Sequence, residues 1–134
     1  MADALQPYSP AILAAGLMAV LLFAQILIAD IAAIWAKTQP GKPLDYNPAS
    51  FHFRASRSFH NTNESIAVFI LLLGVCIALA AQPALVNLMT WVYVAGRIGH
   101  MLTYYLGWNL ARTLSFVVAL LGLLGLIAAG VLAC

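Results

Sequence analysis

Arg57, His60, Asn61 and Glu64 stand at i, i+3, i+4 and i+7 in the run RSFHNTNES. On an α-helix that spacing puts all four on one face. Further along, Arg97, His100, Met101, Tyr104 and Tyr105 recur with the same period, and Arg112 follows. Together these hold three arginines, two histidines and two tyrosines against one carboxylate. An excess of donors and positive charge suits a small anion with several acceptors, held by charge-assisted hydrogen bonds. Glu64 and Arg97 are the obvious opposite-sign pair. A plainer reading stays open: such a pair, with asparagine and histidine beside it, can tie two membrane helices together with no ligand.

The elements that must position these residues are apolar. The chain has 134 residues, 64% hydrophobic and 7% charged, with a mean hydropathy of +0.98. Four apolar runs, 10–36, 65–81, 84–106 and 113–134, each approach the ~20 residues a spanning helix needs. They are continuous rather than alternating, which argues against strands. The expected fold is an all-α integral membrane protein, a four-transmembrane-helix bundle in one domain over 1–134, with helices near 10–36, 48–81, 84–106 and 110–134. Asn47-Pro48 reads as an N-cap followed by proline at the first helical position. From there to Ala81 is ~51 Å of helix at 1.5 Å per residue, about 20 Å more than the hydrocarbon core. The start of that helix must therefore project, with Arg57 near the headgroups and Glu64 close to the top of the hydrocarbon. The first run follows Asp3 rather than basic residues and is longer than a signal core, so it reads as a retained helix.

Lys37, Lys42, Arg54 and Arg57 lie between the first two runs and Arg112 between the last two, while the Gln82-Pro83 turn is uncharged. The positive-inside rule then places the first and third loops in the cytoplasm and both termini outside, in an inner or cell membrane. Asn109 reads as the N-cap of the last helix, which puts Arg112 in its first turn. There the helix dipole disfavours a cation by a few tenths to ~1 kcal/mol, so an anion, a lipid phosphate or a ligand, should compensate. Gln25 and Asp30 on the first helix suit capping, snorkelling or a bond to a neighbouring helix. Trp35, Trp91 and Trp108 suit the membrane interfaces, and Gly122, Gly125 and Ala129 suit close packing of the last helix. Cys76 and Cys134 have no metal-ligand spacing, so no metal site is expected, and no nucleic-acid partner either.

The runs RSFHNTNES and GRIGHMLTYYLGWNLART resemble the superfamily of membrane-associated proteins in eicosanoid and glutathione metabolism, in a bacterial-type form similar to microsomal glutathione transferases. The Arg-x-x-x-Asn-x-x-Glu pattern on the second helix is matched by Arg57, Asn61 and Glu64. The Arg-x-x-His/Tyr-x-x-x-Tyr pattern on the third is matched by Arg97, His100 and Tyr104. The resemblance implies a homotrimer with glutathione as co-substrate between subunits near the cytoplasmic side, and a lipophilic small molecule arriving among membrane lipids. It implies that Glu64 meets the glutathione amine, while Arg57, His60, Asn61, Arg97, His100 and Tyr104 hold its carboxylates and backbone. Arg112, with Tyr105 beside it, would stabilise the thiolate. Many relatives carry histidine two residues after the first motif arginine, where this chain has Phe59, with His60 one place on.

Three functions stand at this stage. The first is a glutathione-dependent transferase, with peroxidase or isomerase chemistry starting from the same thiolate. The second is a non-catalytic membrane protein whose polar face binds a lipid or a partner. The third, a proton or ion path through Glu64, His60, His100 and Arg97, ranks last, because the polar groups stop near mid-membrane depth.

Overall fold

The computed structural model describes residues 2–39 and 41–134. A short turn, Ala2–Leu5, and a 3-10 turn, Gln6–Tyr8, lead into four long helices: α1 (Ser9–Trp35), α2 (Phe51–Ala78), α3 (Pro83–Leu106) and α4 (Asn109–Val131). The described residues contain no strand. Asp3–Trp35, Phe51–Ala78 and Asn109–Val131 are long and apolar enough to cross a membrane, which makes the chain a membrane protein. The 24 residues of α3 give ~36 Å of length, but Asn87, Thr90, Arg97 and His100 dilute its apolarity.

The first three long helices end with one device. After α1 the N–H of Lys37 bonds the carbonyl of Ile34 and that of Thr38 bonds Ala33. After α2, Ala80 bonds Ile77 and Ala81 bonds Cys76; after α3, Gly107 bonds Tyr104 and Trp108 bonds Thr103. Each is a Schellman motif, turning on one residue of positive φ: Lys37 at 52°, Ala80 at 49° and Gly107 at 74°. The motif at Ala80 ends α2 at Ala78 rather than at the expected 81. At its other end α2 starts three residues later than expected. The Asn47 carbonyl accepts the Ser50 N–H at 2.9 Å, so Pro48 serves as the second residue of a β-turn, which its fixed φ also suits. Ser50, extended at ψ 130°, is then the N-cap. Trp108, not Asn109, caps α4, because the motif ending α3 sets Trp108 extended and the next residue is already helical. Arg112 keeps its place in the first turn.

The bundle is pinned at both ends. At one, the Tyr8 hydroxyl donates to the Ala81 carbonyl, while Asn87 donates to the Pro7 carbonyl at 2.9 Å and accepts the Ala11 N–H at 3.1 Å. At the other, Arg54 donates to the carbonyls of Tyr105 (3.2 Å), Pro48 (2.9 Å) and Ala49 (2.8 Å). Between them α3 and α4 approach most closely: a Cβ on Gly96 would stand 2.4 Å from the Ala119 nitrogen, and one on Gly122 2.6 Å from that of Tyr93. Gly122 and Ala129 are buried, as a packing surface requires. Small residues, Ala11, Ala14, Ala29 and Ala32, line the buried stripe of α1. Leu114, Leu121 and Leu124 of α4 face outward.

Candidate functional site

Arg97 is the centre of the polar region. It is 1% exposed, and its Nη1 donates to the side-chain oxygen of Asn61 at 2.7 Å. The guanidinium lies over the rings of Tyr93, at 5.5 Å, and Phe116, at 5.4 Å. Tyr93 is fixed in turn by a 2.8 Å bond between its hydroxyl and that of Ser65 and by stacking on Phe69 at 4.3 Å. One turn on, His100 is buried, tilted against Phe116 at 5.9 Å and edge-on to Tyr104 at 5.3 Å. The guanidinium of Arg112, from α4, lies 4.6 Å from the Tyr104 ring centroid. A column of aromatic rings that includes His100, with an arginine at two levels, thus joins α3 to α4. Aromatic faces, not carboxylates, hold the two arginines within the chain, each contact worth ~0.5–2 kcal/mol.

The expected Glu64–Arg97 pair is not formed. Asn61 takes the arginine, and Glu64 is exposed on the outside of the bundle. Three residues turn a helix through about 300°, so Glu64 lies some 60° around α2 from Asn61, and that angle carries it past α3. Arg57 and His60 are exposed too. His60 is held, its Nδ1–H donating to the Ser56 carbonyl at 2.6 Å, which leaves Nε2 free outward. It also lines a cavity of about 950 Å³ under the first loop, with Asp30, Lys37, Lys42 and His52.

Of the nine site residues read from sequence, the structure groups Asn61, Arg97, His100, Tyr104 and Arg112 in the column and sets Arg57, His60 and Glu64 along the adjoining outer edge of α2. Tyr105 stands apart. One residue beyond Tyr104, it turns about 100° away, packs near Ala29, Ala32 and Ala55, and meets Phe51 edge-on at 5.5 Å. Tyr93 and Phe116 were not singled out from sequence, and Arg54 was named there only as a loop cation. Tyr93 stands four residues before Arg97, so continuing the helical period backward reaches it. Phe116 and Arg54 act across helices and leave no such trace.

In chemical terms this is a cationic, donor-rich wall with a carboxylate at its rim, on a membrane helix bundle. Among the described residues no cluster of three or more histidine, cysteine or acidic side chains could hold a metal ion. Comparison with curated proteins returns no significant match. The sequence profile of the MAPEG family matches residues 9–132, nearly the whole chain and both halves of the polar region, so the chain belongs to the MAPEG family.

Proposed function

We propose that the protein is a membrane-bound, glutathione-dependent transferase working as a homotrimer of four-span protomers, with the polar region at the cytoplasmic side. One observation carries the reading: Arg57, His60 and Glu64 stand exposed on the outer edge of a membrane helix. Ionisable groups at such a place are costly unless turned toward protein or water, and a second copy laid on that edge provides both. The groove so formed has Arg57 and His60 on its rim, the Arg97–Asn61 pair behind, and Glu64 free of any bond to Arg97.

Glutathione, with two carboxylates, one amine and one thiol, matches this inventory. Arginines take the carboxylates, Glu64 takes the amine, and Asn61, His100 and Tyr104 take the backbone. A free thiol with a pKa of about 8.5 is only a few per cent ionised at pH 7, and the thiolate is the nucleophile. Lowering that pKa by two units needs ~2.7 kcal/mol of preferential interaction with the anion. Arg112 is the group for this task, held in place by the Tyr104 ring. The thiolate sulfur then attacks an electrophilic carbon of a lipophilic substrate entering between the apolar outer faces; the sulfur lone pair becomes the new C–S bond while the bond from that carbon to its leaving group breaks, the leaving group departs with that electron pair as an anion, and the thiol proton has already left to solvent.

The test is the near-ultraviolet thiolate absorbance of glutathione mixed with detergent-purified protein near pH 7. A saturable rise in wild type that Arg112→Ala abolishes is the expected result; an equal rise in the variant would end the assignment of Arg112. The non-catalytic reading draws support from a different observation: the two inner arginines are already engaged, one by Asn61 and one by Tyr104. It predicts that glutathione leaves the melting temperature unchanged while Glu64→Gln lowers it.

A further inference from the structure

Three carbonyls at the Arg112 end of the bundle are left over by the helices and turns that carry them. The motif ending α3 takes up the Thr103 carbonyl through the Trp108 N–H and the Tyr104 carbonyl through the Gly107 N–H. The next carbonyl, of Tyr105, is an orphan of the helix terminus. Before α2, the β-turn uses the Asn47 carbonyl, and the Ser50 carbonyl accepts the Arg54 N–H at 3.2 Å. Those of Pro48 and Ala49, between them, have no main-chain donor. One guanidinium takes all three: Arg54 Nε donates to Tyr105 at 3.2 Å, and Nη1 donates to Pro48 at 2.9 Å and to Ala49 at 2.8 Å.

The contact continues into the turn that orients Arg112. Only Gly107 and Trp108 join α3 to α4. The Arg54 stem lies against that turn, since a Cβ on Gly107 would stand 3.9 Å from its Cδ and 4.0 Å from its Nε. The Trp108 carbonyl then accepts the Arg112 N–H at 2.9 Å. On the α3 side, the residue before Tyr105 is Tyr104, whose ring centroid lies 4.6 Å from the Arg112 guanidinium. A second seam runs beside the first, where the Tyr105 ring meets Phe51, the first residue of α2, at 5.5 Å. The Tyr105 hydroxyl is buried without a partner, so this residue contributes its ring and its carbonyl.

We infer that Arg54 is a positioning residue for Arg112: it ties the α3–α4 turn to the start of α2 and so fixes where the Arg112 guanidinium stands over Tyr104. Arginine suits this task better than lysine. Its planar fork serves acceptors on two elements at once through Nε and Nη1, which a single ammonium cannot do. Its charge also lies at the C-terminal end of α3, where the helix dipole favours a cation. These bonds all go to main chain, so the part of Arg54 is to hold the turn rather than to meet a ligand. The effect on a glutathione thiolate rests on the transferase reading; the tether itself does not.

The experiment joins hydrogen–deuterium exchange to a pH titration of the bound-glutathione thiolate, both on the protein in lipid nanodiscs. Arg54→Lys keeps the charge and loses the bridge. The expected results are faster exchange of the amides of 107–112 and an upward shift of the thiolate midpoint, smaller than that of Arg112→Ala. Arg54→Gln repeats both measurements if the lysine variant folds poorly. A variant that is merely less stable would lose signal amplitude and melting temperature while its folded fraction kept the wild-type midpoint. That wild-type midpoint, or unchanged exchange at 107–112 in folded variants, would overturn the positioning role. The two ideas fail separately. No thiolate signal in wild type, with faster exchange in the variants, defeats the transferase reading alone and supports the tether. A normal wild-type signal with unmoved midpoints in the variants defeats this inference alone.

Discussion

A single bond decides how Arg97 is held. Its buried guanidinium has Asn61 as an oxygen partner and aromatic faces for the rest, so taking away that oxygen leaves a buried cation short of an acceptor. Asn61→Leu is expected to lower stability by about 1.5–3 kcal/mol, the range for hydrogen bonds to charged groups. Detergent-denaturant titration checks it, and Arg97→Met in the same background should recover part of the loss, as coupled partners do. At this scale the sequence was half legible. The i, i+3, i+4, i+7 spacing showed a polar face, but a face is wider than a bond. Choosing Asn61 over Glu64 depended on how α2 is rotated against α3, which spacing within one helix does not contain. Tyr104 and Tyr105 divide in the same way, one toward Arg112 and its neighbour toward α1.

Helices announce themselves through their apolar runs; their ends do not. Gly107 is a glycine where a left-handed residue is needed, and the third expected boundary at 106 matches the observed end of α3. Lys37 and Ala80 adopt the same conformation without being glycine, at a cost of roughly 1–2 kcal/mol, and the missed end of α2 lies at Ala80. Ala80→Gly should therefore raise stability by up to about 1 kcal/mol. The opposite change at the α3–α4 contact should be harmful, because a methyl on Gly96 or Gly122 meets backbone that cannot step aside. Gly96→Ala and Gly122→Ala are each expected to cost about 1–3 kcal/mol, with Gly16→Ala, where a Cβ meets nothing within 4 Å, as the neutral control. Thermal melts followed by circular dichroism read all three. The small-residue pattern of α4 was visible in the sequence, whereas its counterpart Gly96 shows its purpose only once Ala119 lies against it.

As a whole molecule the bundle presents apolar side chains on nearly every outward face of its helices and a polar edge at Arg57, His60 and Glu64. The proposed homotrimer would cover that edge. Native mass spectrometry from detergent should give three times the 14.3 kDa protomer mass, and glutathione should raise the melting temperature of that species. A monomer that binds glutathione equally well would overturn the shared groove. Composition and run lengths were enough to read a membrane protein. The count of protomers was never in the helical pattern, because a covered edge and a bare one are written with the same residues.

The two cysteines have opposite fates. Cys76 is buried with its thiol directed to the Leu126 carbonyl at 3.2 Å, while Cys134 is exposed just past α4. From Arg112 to that end of α4 is roughly 30 Å along the axis. A maleimide dye or nitroxide should therefore react at Cys134 alone, far from every residue of the polar region. The unaltered protein thus carries its own labelling site, open to a spectroscopic probe without a single engineered attachment point.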